Sequence, residues 1–254
     1  MVIEFAAFWL PKDGVEPREY EDAFAPAAID GTPRSRVRCA VADGASESAY
    51  ARVWARQLVS EFAHGGLTGP GLIELPHLGS RWLQAVASAL SRDETASLYL
   101  DRKIDDGAFA AFLGLEFVDA SAHDDVGSFG AIALGDCCFV QIRRDAIVRS
   151  FPLETSEQFN VRPVLVPSRP IESDAFSGAI ARYGGSWHSG DTFYLMSDAL
   201  ACWFLLAAER GKRPWCDLDR FARRDRAAFR TWVHALRPIA LKNDDVTLVR
   251  MRLI

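Results

Sequence analysis

Acidic residues recur in this chain where apolar runs begin or end. Glu21-Asp22 lies between Tyr20 and Ala23-Phe24, Asp43-Gly44 closes the run 37–42, and Asp136 stands in a Gly135-Asp136 turn. Asp198 ends the run 192–196, and Asp244-Asp245 opens the run 246–253. A carboxylate at the end of a buried strand is costly unless a positive group or hydrogen bonds meet it. Taken alone, Glu21-Asp22 reads as a solvated turn. Several such residues, each beside an apolar strand, point to one carboxylate cluster, because strand ends of one sheet system converge at a common edge. Like charges brought together raise one another's pKa and oppose folding unless cations neutralise them. Hard divalent cations with oxygen ligands match this chemistry, since the five histidines show no HxxxH spacing and the five cysteines no CxxC pair.

Each of these residues needs an element to hold it. The run 37–42 reads as a strand broken only by Arg38, and glycine directly after Asp43 indicates a tight turn or close backbone approach. Ser46 and Glu47 open a helix, and from 47 to 62 the apolar residues Val53, Trp54, Leu58 and Phe62 recur at helical spacing. Residues 2–9 form an earlier strand, closed by Pro11 and Gly14. Residues 65–79 read as an irregular connection with a short apolar element at 72–75. A second helix runs from Ser80 to about Lys103, with Trp82, Leu83, Val86 and Leu90 inward.

The segments 112–118, 129–134, 138–142 and 146–151 read as a meander of antiparallel strands, with Arg143-Arg144-Asp145 an exposed hairpin turn. Cys137 and Cys138 then point to opposite faces. Residues 152–189 read as a loop-rich, flap-like segment bordering a site. The pattern at Asp43 repeats in 192–209, where a strand ends on Ser197-Asp198 and a helix follows over 199–209. Residues 217–236 read as one helix, with Leu218, Phe221, Phe229, Trp232, Val233 and Leu236 on one face and a solvated arginine face opposite. In the closing strand 246–253, Val246, Leu248, Arg250 and Arg252 alternate with Thr247, Val249, Met251 and Leu253.

The 254 residues are 49% hydrophobic with a formal charge of -5, which excludes a disordered chain and gives no general attraction to nucleic acid or anionic membrane. No apolar window is long enough to cross a bilayer, and the amino terminus lacks a basic leader. The expectation is a cytoplasmic protein with reduced, mostly buried cysteines.

Five stretches in order carry a resemblance: Tyr20-Glu21-Asp22-Ala23, VADG at 41–44, LGDCCFVQIR at 134–143, MSDAL at 196–200 and NDDVTLV at 243–249. Together they resemble the metal-dependent protein phosphatases of the PPM or PP2C family, in a compact bacterial-type form, over essentially the whole chain. The resemblance implies an α+β fold: a single domain, 1–254, built as a four-layer α/β/β/α sandwich with two mostly antiparallel central sheets. It also implies two Mn²⁺ or Mg²⁺ ions, with the Asp43 carboxylate as bridge and the Gly44 carbonyl as a ligand. Asp198 and Asp244 hold one ion, and Glu21, largely through water, holds the other. Asp22 positions water, Asp136 contributes to a weak third site, and Asp245 supports its turn. The implied reaction is hydrolysis of phosphoserine or phosphothreonine in proteins by a bridging, metal-activated water, with no phosphoenzyme.

The chain departs from the family pattern at four places. Pro17 replaces an arginine that holds the substrate phosphate, which makes Arg18 the candidate clamp; Ala45 replaces a histidine proposed as proton donor. Ala199 stands for a glycine, a small change, and Cys202 for a further aspartate, which weakens the third metal position. Among the histidines, which show no ligand-like pattern, His188, within 184–190, is the one placed nearest the site, with a surface-loop role the favoured reading. Two alternatives follow: a catalytically weak or inactive phosphatase-fold module that binds a regulatory protein, and a two-metal phosphodiesterase or nuclease, which the family pattern disfavours. The expected partner is a phosphoprotein substrate or a regulatory protein, with no nucleic acid and no membrane.

Overall fold

Among the described residues, eleven strands form two antiparallel sheets that face each other, and the alternation of apolar residues explains why. The computed structural model describes residues 1–48, 50–67, 76–90, 104–120, 126–160, 162–169, 174–221 and 225–254. One sheet holds β1 (Ile3–Leu10), β11 (Val246–Leu253), β10 (Thr192–Met196), β6 (Cys138–Arg143) and β7 (Ala146–Phe151), in that spatial order. The other holds β2 (Ala23–Ala25), β3 (Arg36–Gly44), β4 (Phe109–Val118), β5 (Val126–Leu134) and β9 (Ala181–His188), with β8 (Val166–Pro167) against β4. All pairings between described strands are antiparallel.

Between the sheets lie Phe5, Val41, Leu113, Leu115, Phe117, Phe129, Phe139, Phe193, Val249 and Met251. Phe193 packs edge-on against both Phe117 and Phe129, with ring centroids 4.9 Å apart in each pair. On the outer face of the second sheet, α1 (Ala51–His64) and α2 (Pro76–Leu90) bury Trp54, Leu58, Phe62, Trp82 and Val86 over Ala42, Phe112 and Leu134. On the outer face of the first, α4 (Asp198–Glu209), α5 (Pro214–Leu218) and α6 (Arg226–Leu236) cover Phe8, Tyr194, Met196 and Leu248. The short helix α3 (Asp174–Ala179) precedes β9. The layers are those of an α/β/β/α sandwich.

The closing strand alternates as read from sequence: Val249, Met251 and Leu253 point between the sheets, Val246 and Leu248 toward the helices. Cys137 and Cys138 divide in the same way, and the five cysteines are free thiols. Several expectations are corrected. The helix assigned from Glu47 starts at Ala51, because Ser46 and Ser48 spend their hydroxyls on Glu21, Ala45 and Phe109 instead of capping it. The second helix starts earlier, at Pro76, and carries Leu83 exposed; its expected extension over 91–103, and the apolar element at 72–75, lie outside the described residues.

The meander is split. Gly135-Asp136 carries the chain from one sheet to the other, so β4 and β5 belong to one and β6 and β7 to its partner. The flap-like segment 152–189 contains an eight-residue edge strand, β9, whose Gly184-Gly185 and half-exposed alternation hid it. The helix read over 217–236 is two shorter ones: the first ends at Leu218 with Asp219 as its cap, where the carbonyls of Leu218 and Phe221 accept from Arg250, and the second begins at Arg226.

Candidate metal centre

Strand registers bring the acidic junctions to one edge of the sandwich. Asp43, one residue before the end of β3, lies opposite Ala111, and Ala23, directly after Glu21-Asp22, pairs with Ala42 beside it. Met196, two residues before Asp198, pairs with both Cys138 and Leu248, so the Asp136 turn and the start of β11 flank Asp198. Leu10 pairs with Val246, which sets Lys12 next to Asp244-Asp245. Gly135 adopts φ +98°, a conformation that suits glycine and lets the chain change sheets just before Asp136.

Hydrogen bonds tie these ends together. Asp245 accepts from the backbone amides of Lys12 at 2.9 Å and Glu21 at 2.6 Å, tying those two segments to the start of β11. Asp22 is buried; its Oδ2 accepts from the Thr247 hydroxyl at 2.6 Å, and Thr247 in turn accepts from the Tyr20 hydroxyl. Glu21 accepts from Ser46 Oγ and pairs with Lys12 Nζ, which also donates to Ser46 at 2.9 Å. Gly44 lies against backbone: a Cβ there would stand 2.9 Å from the Glu21 carbonyl oxygen and 3.0 Å from the Ala51 carbonyl carbon. Gly44→Ala is therefore expected to cost about 1–3 kcal/mol, read as a lower urea midpoint at unchanged slope.

The electrostatics express crowding. Burial, then the charges of Asp22, Asp198, Asp136 and Asp244, push the half-buried Asp43 carboxyl well above the ordinary range. Burial and Asp198 raise Asp136 to about 6, while burial and Asp245 raise Asp22. Burial, then Asp43, raises the Cys137 thiol, which disfavours Cys137 as a thiolate nucleophile.

Two observations bear on whether these residues suit divalent cations. Asp22 Oδ1 is buried with no hydrogen-bond partner, and the donors at this edge are oxygens. In chemistry the set fits a hard cation. As the side chains stand, no group of three or more His, Cys, Asp or Glu among the described residues is arranged to hold a metal ion. Ammonium groups are interposed instead: Lys242 Nζ lies 3.1 Å from Asp198 Oδ2 and 2.6 Å from Asp244 Oδ2, and Lys12 Nζ lies 3.4 Å from Glu21.

Glu21, Asp22, Asp43, Gly44, Asp136, Asp198 and Asp244 thus meet at one edge. Arg18 stands on a short 3-10 turn, its side chain exposed and its carbonyl accepting from Arg52. His188 stands away from the site, as the favoured reading had it: it ends β9 at the opposite end of the sheets and donates its backbone amide to Asp191. Cys202, one turn after Asp198, contacts the Ser156 carbonyl at 3.9 Å. Sequence reading missed Lys12, Lys242 and the Tyr20–Thr247 link. Lys242 stands two residues before Asp244, the one local signal available; Lys12 gives none.

No protein-family model matches the sequence, and no curated protein matches it. Solved structures do. The chain is similar to the catalytic domain of the serine/threonine protein phosphatase PstP solved with two manganese ions, at 17% identity over 99% of this chain and 98% of that one, TM-score 0.55. PppA, a regulatory component of the type VI secretion system in Pseudomonas aeruginosa, is similar at 16% identity over 100% and 99%, TM-score 0.55. A bacterial serine phosphatase reaches TM-score 0.58 at 11% identity over 99% and 98%. The chain has the fold of the PP2C-type, PPM-family serine/threonine phosphatases. No helix among the described residues is long and apolar enough to cross a membrane.

Proposed function

We propose that this protein hydrolyses phosphoserine or phosphothreonine in proteins, using two Mn²⁺ or Mg²⁺ ions. The observation that carries the reading is the convergence of Glu21, Asp22, Asp43, Asp136, Asp198 and Asp244 on one edge of a PP2C-type sandwich, where their mutual repulsion calls for cations. Asp43, with the Gly44 carbonyl beside it, is the shared ligand. Asp198 and Asp244 belong to one ion and Glu21 to the other, while Asp136 serves a weaker third. Bound there, hard divalent cations neutralise the phosphate and lower the pKa of water. Asp22, held by Thr247 through one oxygen, keeps its other oxygen to orient water. Arg18 is the candidate phosphate clamp, reaching from its exposed turn.

The test is phosphate release from phosphothreonine peptides in Mn²⁺, with none after EDTA treatment and recovery on adding Mn²⁺ back. A folded protein inactive on varied phosphopeptides in both Mn²⁺ and Mg²⁺ would sink the reading. The interposed lysines favour a second one: a phosphatase-fold module that binds a regulatory protein without turnover. That reading predicts a stable partner complex that persists in Asp43→Ala.

A further inference from the structure

Asp198 and Asp244 each commit one carboxylate oxygen to the backbone. Asp198 Oδ1 accepts from the amide of Ala199 at 2.5 Å, and Asp244 Oδ1 from the amide of Asp245 at 3.0 Å. The two oxygens left over, both Oδ2, converge on one group, the ammonium of Lys242. These are the oxygens a cation between the two residues would take. The side chains differ in freedom. Asp198 is 17% exposed and Asp244 28%, so both are held, whereas 64% of the Lys242 side chain faces solvent. Lys242 can therefore swing out while the carboxylates stay in place, and rotamer freedom regained in water offsets part of the lost pairing.

We propose that the Lys242 ammonium is a built-in occupant of the cation position between Asp198 and Asp244, which a divalent ion must displace, so that Lys242 sets the metal affinity of that position. The inference rests on the two-ion reading given above. A monovalent ammonium neutralises the pair in metal-free protein, and a divalent ion wins at sufficient concentration because its attraction to each carboxylate is doubled at equal distance. Lys242 is thus a device for tuning metal occupancy, and the protein responds over a higher range of metal concentration than the same carboxylates would without it.

The experiment compares wild type, Lys242→Met and Lys242→Arg by calorimetric titration with Mn²⁺ and by melting in EDTA. Lys242→Met is expected to bind Mn²⁺ about tenfold tighter or more, a coupling of ordinary size between two competing occupants. The difference is expected to persist at about 0.5 M NaCl, where long-range charge effects are screened. Its metal-free form melts below wild type, because two carboxylates have lost their counter-ion, and Lys242→Arg stays close to wild type on both counts. Equal Mn²⁺ affinity in wild type and Lys242→Met overturns the inference and leaves the two-ion reading standing; so does a difference that vanishes in high salt. Binding by Lys242→Met but not by folded wild type supports the inference and removes the two-ion reading for the native chain. Binding by neither overturns both.

Discussion

Replacing Asp43 with Asn is expected to cut Mn²⁺-dependent phosphate release from a phosphothreonine peptide by about 10³-fold, equivalent to about 4 kcal/mol of transition-state stabilisation. Asp43 is the carboxylate whose environment includes Asp22, Asp198, Asp136 and Asp244 together. Removing its charge takes out the ligand that both proposed ions share, whereas losing Asp136 affects only the weaker position. The same substitution has the opposite effect on the metal-free fold. No hydrogen bond from another described residue meets the Asp43 carboxylate, and its neighbours are of like charge, so an isosteric amide relieves repulsion and can donate to one of them. Activity lost together with a higher melting temperature in EDTA separates loss of the centre from misfolding. Undiminished turnover by Asp43→Asn would remove Asp43 from the chemistry.

The positions of the acidic residues were legible because they sit at strand ends, where hydrophobic run and carboxylate are adjacent in sequence. Asp43-Gly44, Asp198 and Asp244-Asp245 each follow or precede a run that later proves to be a central strand. The five motifs in order carried the two-sheet fold as well. Features set by tertiary contact were not legible. β9 is an edge strand with one glycine pair and little buried surface, so its alternation is weak. At the break after Leu218 the carbonyls of Leu218 and Phe221 accept from the Arg250 guanidinium, a tertiary contact that a 3.6-residue periodicity count cannot see. Ser46 resembles a helix cap locally, yet its hydroxyl goes to Glu21, 25 residues away in sequence. Lys12 and Lys242 look like solvated surface lysines until strand pairing sets them among carboxylates. A ligand set can be read from a pattern of strand ends; its counter-ions depend on which loops those strands bring together.

Metal-free protein is expected to lose stability as pH rises from about 4 to 7, and saturating Mn²⁺ is expected to abolish that loss. Asp136 shows the sign. Its carboxyl titrates near 6 in the folded chain against an ordinary 3.8, so between those values the folded state holds more protons than the unfolded one. The resulting stabilisation is fully present below 3.8 and is lost as pH rises through 6, on the order of 3 kcal/mol for this group alone. Asp22 and Asp43, raised by burial and then by neighbouring carboxylates, shift in the same direction and add to the loss. Carboxyls shifted the other way do not mask it. Asp191 is held down by Arg143 despite the opposing effect of burial, and Asp30 is held down to about 2 by Thr32 and then Arg34. Their contributions are present above the ordinary carboxylate pKa and fade only as pH falls below it, outside the window. A cation among the acidic strand ends reverses the local preference, because the charged carboxylates become the favoured form. Urea midpoints at about pH 5 and pH 7.5, in EDTA and in Mn²⁺, measure both slopes. Stability rising with pH in EDTA would mean that the carboxylates at this edge do not burden one another, and with that the case for cations there would fall.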